Sequence, residues 1–265
     1  MSTPDGKCSL LSARRWLCVS KKAPPLTKLL KKGDFVAIDR YLHDSSICTD
    51  SWFSQDYSLF GENCLHLLLQ YRPPANVVRA MLDQYRKVRS DDAPHLTVDY
   101  FGRTPLHISL IHHNTPDVVE LLASKEDGKS AAMAVDSNHR LPLHEVVMSY
   151  QDILEPRKRQ FLVKDGLKIE DLRNNIMCNA AILLDVFPEA ISVRDRDHST
   201  PLEYMANTPP EARKLTDQLL AAKSRVRAKA PVPLLDILDI HRLTLPRVPS
   251  EISLDADDDA FSSLT

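Results

Sequence analysis

The sequence predicts an all-α chain of about five stacked helix pairs joined by short finger turns. Three observations carry this expectation. A short cap-and-helix signature recurs along the chain. An apolar second helix accompanies its copies, and an aspartate-led turn precedes three of them.

The signature is clearest at residues 102–110, GRTPLHISL. Gly102 suits a left-handed turn position, Thr104 a helix N-cap and Pro105 the first helical residue, where no amide is needed. The apolar residues Leu106, Ile108, Leu110 and Ile111 follow.

Copies of this unit set the elements in order. Residues 24–34, PPLTKLLKKGD, are a faint first copy, and FVAIDRYL supplies its second helix. Asn63 caps the next copy, which carries His66, and PANVVRAML at residues 74–82 follows it. Thr104 opens the third, and TPDVVELL at residues 115–122 repeats the Val-Val pair. In the fourth, Leu141 stands at the cap position before Pro142 and His144. The fifth reads Thr200-Pro201-Leu-Glu203, preceded by the apolar run NAAILLDVF at residues 179–187. The cap positions Pro24, Asn63, Thr104, Leu141 and Thr200 are therefore 39, 41, 37 and 59 residues apart. Upstream, the turns read Asp99-Tyr-Phe-Gly102, Asp136-Ser-Asn-His139 and Asp195-Arg-Asp-His198. His139 and His198 stand where glycine is expected, and histidine tolerates the left-handed region better than most residues.

Thr-Pro-Leu-His at a period near 33 residues is the mark of ankyrin modules, and over roughly residues 24–222 the chain resembles the ankyrin-repeat family with lengthened spacers. The resemblance implies an ankyrin-type solenoid. It gives Asn63, His66, Thr104, Pro105, His107, Pro142, His144, Thr200 and Pro201 a structural role. In the family the repeated histidine bonds to the cap hydroxyl and to neighbouring backbone, tying one repeat to the next. The resemblance also implies a non-catalytic role, with a partner protein bound on a concave surface. The residues expected to meet it are Leu59, Phe60, Tyr100, Phe101, Arg103, Asn138, Arg140 and Arg196. Two adjacent tips, Leu59-Phe60 and Tyr100-Phe101, are apolar or aromatic, as binding anchors are. The next two, Ser137-Asn138 and Arg196-Asp197, are polar. For Phe60 and Phe101 the alternative is that they tuck beneath their own turns. The departures from the family are scarce glycine, 6 in all, irregular spacing and poor terminal copies; atypical end repeats are usual.

The step from Leu141 to Thr200 is too long for one repeat. With a first helix over residues 142–150 and a second resuming near Cys178, residues 151–175 form an insertion opposite the fingers. Its apolar residues Ile153, Leu154, Phe161 and Leu167 predict at least one helical turn, with Arg157, Lys158 and Arg159 facing water. A plain spacer is the alternative.

The ends differ from the middle. Residues 1–23 read as a basic flexible arm, with an organelle-targeting segment as the alternative. Residues 223–265 are proline-broken and read as a mostly disordered tail with an acidic end. Within that tail, residues 234–240 are apolar enough to dock on a partner or back on the repeats, with a final capping strand or helix as the alternative. Apolar content of 43% permits a buried core, and a net charge of −2 makes nucleic acid an unfavoured partner. No run is long and apolar enough to span a membrane. The cysteines Cys8, Cys18, Cys48, Cys64 and Cys178 lack disulfide or metal spacing and read as reduced thiols of an intracellular protein, cytoplasmic or nuclear. His112 and His113 end a helix, where positive charge suits the dipole. No catalytic, metal or cofactor motif stands out among the ten histidines or the carboxylates. The expectation is a scaffold or adaptor, monomeric alone, that is not an enzyme and needs no metal or cofactor. Two alternatives stay open: a nuclear regulator using the basic segments around Arg157 and Arg225, and a non-catalytic subunit of an enzyme complex.

Overall fold

The structure, a computed structural model, describes residues 25–43, 58–88, 94–123, 128–164, 166–206 and 212–229. The expected basic arm, the apolar 234–240 segment, the acidic end and Cys8, Cys18 and Cys48 lie outside the described residues. Among those described there are helices, turns and loops, and no strand.

The helices form two rows. One row holds α1 (Pro25–Lys32), α3 (Cys64–Leu69), α5 (Pro105–Ile111), α8 (Pro142–Leu154) and α11 (Pro201–Tyr204), each packed on the next. The other holds α2 (Phe35–His43), α4 (Ala75–Val88), α6 (Pro116–Ala123), α10 (Ile169–Val186) and α12 (Arg213–Lys229), again packed in order. Across the rows, α1 meets α2, α3 meets α4, α5 meets α6, α8 meets α10 and α11 meets α12. The repeated valines explain why the rows adhere. Val77, Val78, Val118 and Val119 are buried, as are Leu65, Leu68, Leu106, Ile108, Leu143 and Val146 opposite them. Each such side chain removed from water contributes about 1.5–3 kcal/mol.

Polar side chains tie the rows at their far ends, where helix carbonyls run out of partners. Gln84 Nε2 donates to Leu42 O at 2.6 Å, Asn114 Nδ2 to Leu69 O at 2.8 Å and Ser149 Oγ to Leu110 O at 3.1 Å. Each bond crosses to an earlier pair.

Proline sets the helix starts and one sharp break. Pro105, Pro142 and Pro201 open their helices. Pro156 disfavours the helical region for the residue before it. Glu155 accordingly takes φ −73°, ψ 118°, which ends α8 and starts α9 (Pro156–Lys164).

Four features depart from the sequence expectation. α8 continues to Leu154, past Tyr150, and α10 begins at Ile169, well before Cys178. The reason lies in Ile153, Leu172 and Ile176, which are buried and prolong the apolar faces of both helices. The excess chain therefore shrinks from residues 151–175 to 155–168, and α9 within it packs on α8 and α10. α12 runs to Lys229, beyond residue 222, because Leu215, Leu219, Ala222 and partly Val226 continue one apolar stripe. A short helix α7 (Gly128–Met133), which the sequence did not suggest, buries Ala131 and Ala132 between α6 and α8. A 3₁₀ turn (Pro188–Ser192) links α10 to the last pair. None of the helices among the described residues is long and apolar enough to cross a membrane.

Candidate protein-binding face

The finger turns share one construction. Asp99 Oδ1 accepts the amides of Phe101 and Arg103, each at 2.9 Å, and its own amide donates to Arg103 O at 3.0 Å. Asp136 repeats this with Asn138 and Arg140 at 2.8 Å, and Asp195 with Asp197 and Ser199 at 3.0 Å. In the first turn Ser58 takes the aspartate's place: its Oγ accepts the Phe60 amide at 3.1 Å and donates to Glu62 at 2.8 Å. Each turn reverses through a left-handed residue, Gly61 and Gly102 at φ +71°, His139 at +58° and His198 at +59°. At Gly61 a β-carbon would stand 2.5 Å from the Tyr100 ring, so only glycine lets that ring cover the turn.

Successive turns are joined by main-chain bonds. The Tyr100 amide donates to Phe60 O at 2.8 Å, Ser137 to Phe101 O at 2.7 Å and Arg196 to Asn138 O at 2.9 Å. This registration sets the two apolar tips side by side. The Phe60 and Phe101 rings lie 5.8 Å apart, tilted by 39°, and the Arg103 guanidinium covers Phe101 at 4.7 Å. Leu59 is 91% exposed, Tyr100 72%, Phe60 51% and Phe101 44%. The phenylalanines thus lean on each other across two turns and keep about half their surface in water.

The polar residues expected on this face divide. Asn138 and Arg196 are exposed. Arg103 and Arg140 are engaged within the turns. Arg103 reaches Asp99 Oδ2 at 2.7 and 2.8 Å, and Arg140 stands 3.6 Å from Asp195 and 3.7 Å from Asp197. They brace the tips and hold the aspartates; Asp99 and Arg103 are four residues apart but sit in a turn, and Arg140 pairs with aspartates of the next turn.

Behind the turns the repeated histidines are wholly buried. His66 Nε2 lies 3.0 Å from Arg103 O, His107 Nε2 3.1 Å from Arg140 O and His144 Nε2 3.2 Å from Ser199 O. A carbonyl only accepts, so in His107 and His144 Nε2 carries the proton. The other nitrogen, Nδ1, receives the cap-residue amide from Thr104 at 3.2 Å and from Leu141 at 3.1 Å, whereas in His66 it lies 2.7 Å from Asn63 Oδ1 and 3.4 Å from the Asn63 amide. The ring therefore satisfies the amide of the cap residue itself; at position 141, where leucine offers no acceptor, the His144 amide donates to Leu141 O at 2.9 Å. The Thr104 hydroxyl, expected to accept a first-turn amide, lies 2.9 Å from the His107 ring instead. Thr200 does cap, receiving the Glu203 amide at 3.3 Å while Glu203 accepts the Thr200 amide at 2.7 Å. Of the helix-opening prolines, Pro105, Pro142 and Pro201 are buried.

Burial governs the local electrostatics. It pushes His66 and His107 down to about 4, and lowers His144, so all three are neutral at physiological pH. His112 falls to about 4 for the same reason and His113 is lowered too, so neither brings the positive charge expected at that helix end. Glu145, which follows His144, was not anticipated. Burial and then the Asp136 carboxylate push it up to about 7. The Cys64 thiol, buried in α3, rises to about 12 and is inert as a nucleophile. Among the described residues no cluster of three or more His, Cys, Asp or Glu could hold a metal ion.

Compared with known protein families and with curated proteins, the chain matches none.

Proposed function

We propose that the chain is a divergent ankyrin-type solenoid that acts as a non-catalytic scaffold or adaptor, binding a partner protein through its finger tips and the adjoining first helices. One observation carries this reading: two neighbouring tips hold four large apolar side chains in water, locked in register by the Tyr100 to Phe60 main-chain bond. Monomeric soluble proteins rarely leave contiguous apolar patches uncovered without use. The repeated histidine bonds, the aspartate turns and the two helix rows support the ankyrin-type reading, and their cost in buried polar groups is met by the scaffold itself. The charged residues nearby are mutually paired, which suits a surface of apolar anchors within a polar rim.

The test is affinity capture from cell extract with the intact chain as bait, compared with its Tyr100→Ala variant. Loss of a specific protein by about 1 kcal/mol or more of affinity is expected of an anchor, with an unchanged melting temperature. Capture abolished by nuclease would instead favour the nucleic-acid alternative. Capture that survives Tyr100→Ala intact would move the binding surface away from the tips.

A further inference from the structure

At the far end of α8, roughly 20 Å from the finger turns by helical rise, α9 presents a second surface. Phe161 is 68% and Val163 52% exposed. Leu154, Pro156, Arg159, Gln160 and Val163 line an open groove of about 480 Å³. Three cations adjoin it, and they are not equivalent. Lys158 is held by Asp152 at 2.6 Å and Glu155 at 3.5 Å. Arg157 and Arg159 are exposed, and among the described residues neither side chain has a bond or ion pair. The surface thus asks for an occupant with carboxylates beside a large apolar group. Within this chain that combination stands at residues 255–261, DADDDAF, where four aspartates run up to Phe261.

Reach permits the match. α12 and α9 both pack on α10. From Lys229 to Asp255 an extended chain spans up to roughly 86 Å at ~3.3 Å per residue, far more than the width of one helix. A tethered segment also binds at high effective concentration, so weak contacts suffice.

We infer that residues 255–261 of the same chain fold back onto α9, with aspartates on Arg157 and Arg159 and the Phe261 ring in the groove between Leu154, Pro156 and Val163. The tail then covers the inserted helix and leaves the finger tips open. This docking is independent of the finger-tip reading and stands or falls without it.

Hydrogen–deuterium exchange on the full chain tests it. The α9 amides should exchange about fivefold more slowly in the native chain than in the triple variant Asp257→Asn, Asp258→Asn, Asp259→Asn. Phe261→Ala should release them too, and so should 1 M salt, where the Debye length is about 3 Å. Reversing both sides together, Arg157→Glu and Arg159→Glu with Asp258→Arg and Asp259→Arg, should restore the slow exchange. Equal exchange in the native chain and the aspartate variant overturns the inference. So does protection that Phe261→Ala leaves intact. Protection that rises with protein concentration makes the occupant a second copy and also overturns it.

Discussion

His107→Ala measures how much the buried histidine row contributes to the fold. The imidazole has no solvent contact and joins the Thr104 amide to the Arg140 carbonyl, which also accepts the Asp136 amide at 3.0 Å. Its loss strands the Thr104 amide, 3.2 Å from Nδ1, and removes one of the two bonds on the Arg140 carbonyl, 3.1 Å from Nε2. A buried group left unpaired costs about 1–3 kcal/mol, and the vacated ring volume adds to that, offset by any water that enters. A total of about 2–4 kcal/mol follows, a large share of the 5–15 kcal/mol that holds a typical domain together. Urea unfolding followed by far-ultraviolet circular dichroism reads it directly, with a chelator arm run on the native chain. A cost below about 1 kcal/mol would refute the bonding scheme, and a native midpoint lowered by chelator would reopen a metal role for these histidines.

Acid should act on the same row. His66 and His107 titrate near 4 in the fold against an ordinary 6.5, so the unfolded chain takes up protons that the folded one refuses. Stability present above about 6.5 is then lost as the pH falls toward 4, visible as a falling urea midpoint that His107→Ala makes shallower. Glu145 acts in the opposite sense: its folded value near 7 lies above the ordinary 4.5, so stability present below 4.5 is lost as the pH rises through 7. Glu145→Gln should therefore raise the urea midpoint at pH 8 and leave it nearly unchanged at pH 4, and equal effects at both would contradict the assignment. Gly61→Ala places a methyl against the Tyr100 ring in a left-handed turn. It should cost about 1–2 kcal/mol in the same unfolding assay and, on the proposed reading, weaken partner capture as is expected of Tyr100→Ala.

Much of the architecture was legible because it is local chemistry. The threonines, prolines and aspartates that open helices and close turns act within four residues of themselves, and their spacing survives in the string. The left-handed positions of His139 and His198 were readable for the same reason. What escaped depends on contacts across the fold. Cys178 looked like the start of the second helix because the apolar residues crowd after it, whereas Leu172 and Ile176 are buried by neighbours that no local pattern names. Leu59 and Tyr100, expected at the tips, are exposed there, but Arg103 and Arg140 looked equally available until the aspartates that hold them came into view. Glu145 gave no signal, since a carboxylate after a helical histidine normally faces water; here it is buried, within the influence of the Asp136 carboxylate.

The bonds from Tyr100 to Phe60, from Ser137 to Phe101 and from Arg196 to Asn138 join peptide groups, and any residue except proline at the donor position supplies the same hydrogen. Side-chain identity at the tips is thereby uncoupled from the connection between units. Mutation can alter what the tips display, from leucine and phenylalanine at one end to arginine and aspartate at the other, while the spine that aligns them stays the same. A spine of that kind offers a ready place to graft a chosen loop, since the bonds that align it ask nothing of the side chains placed there.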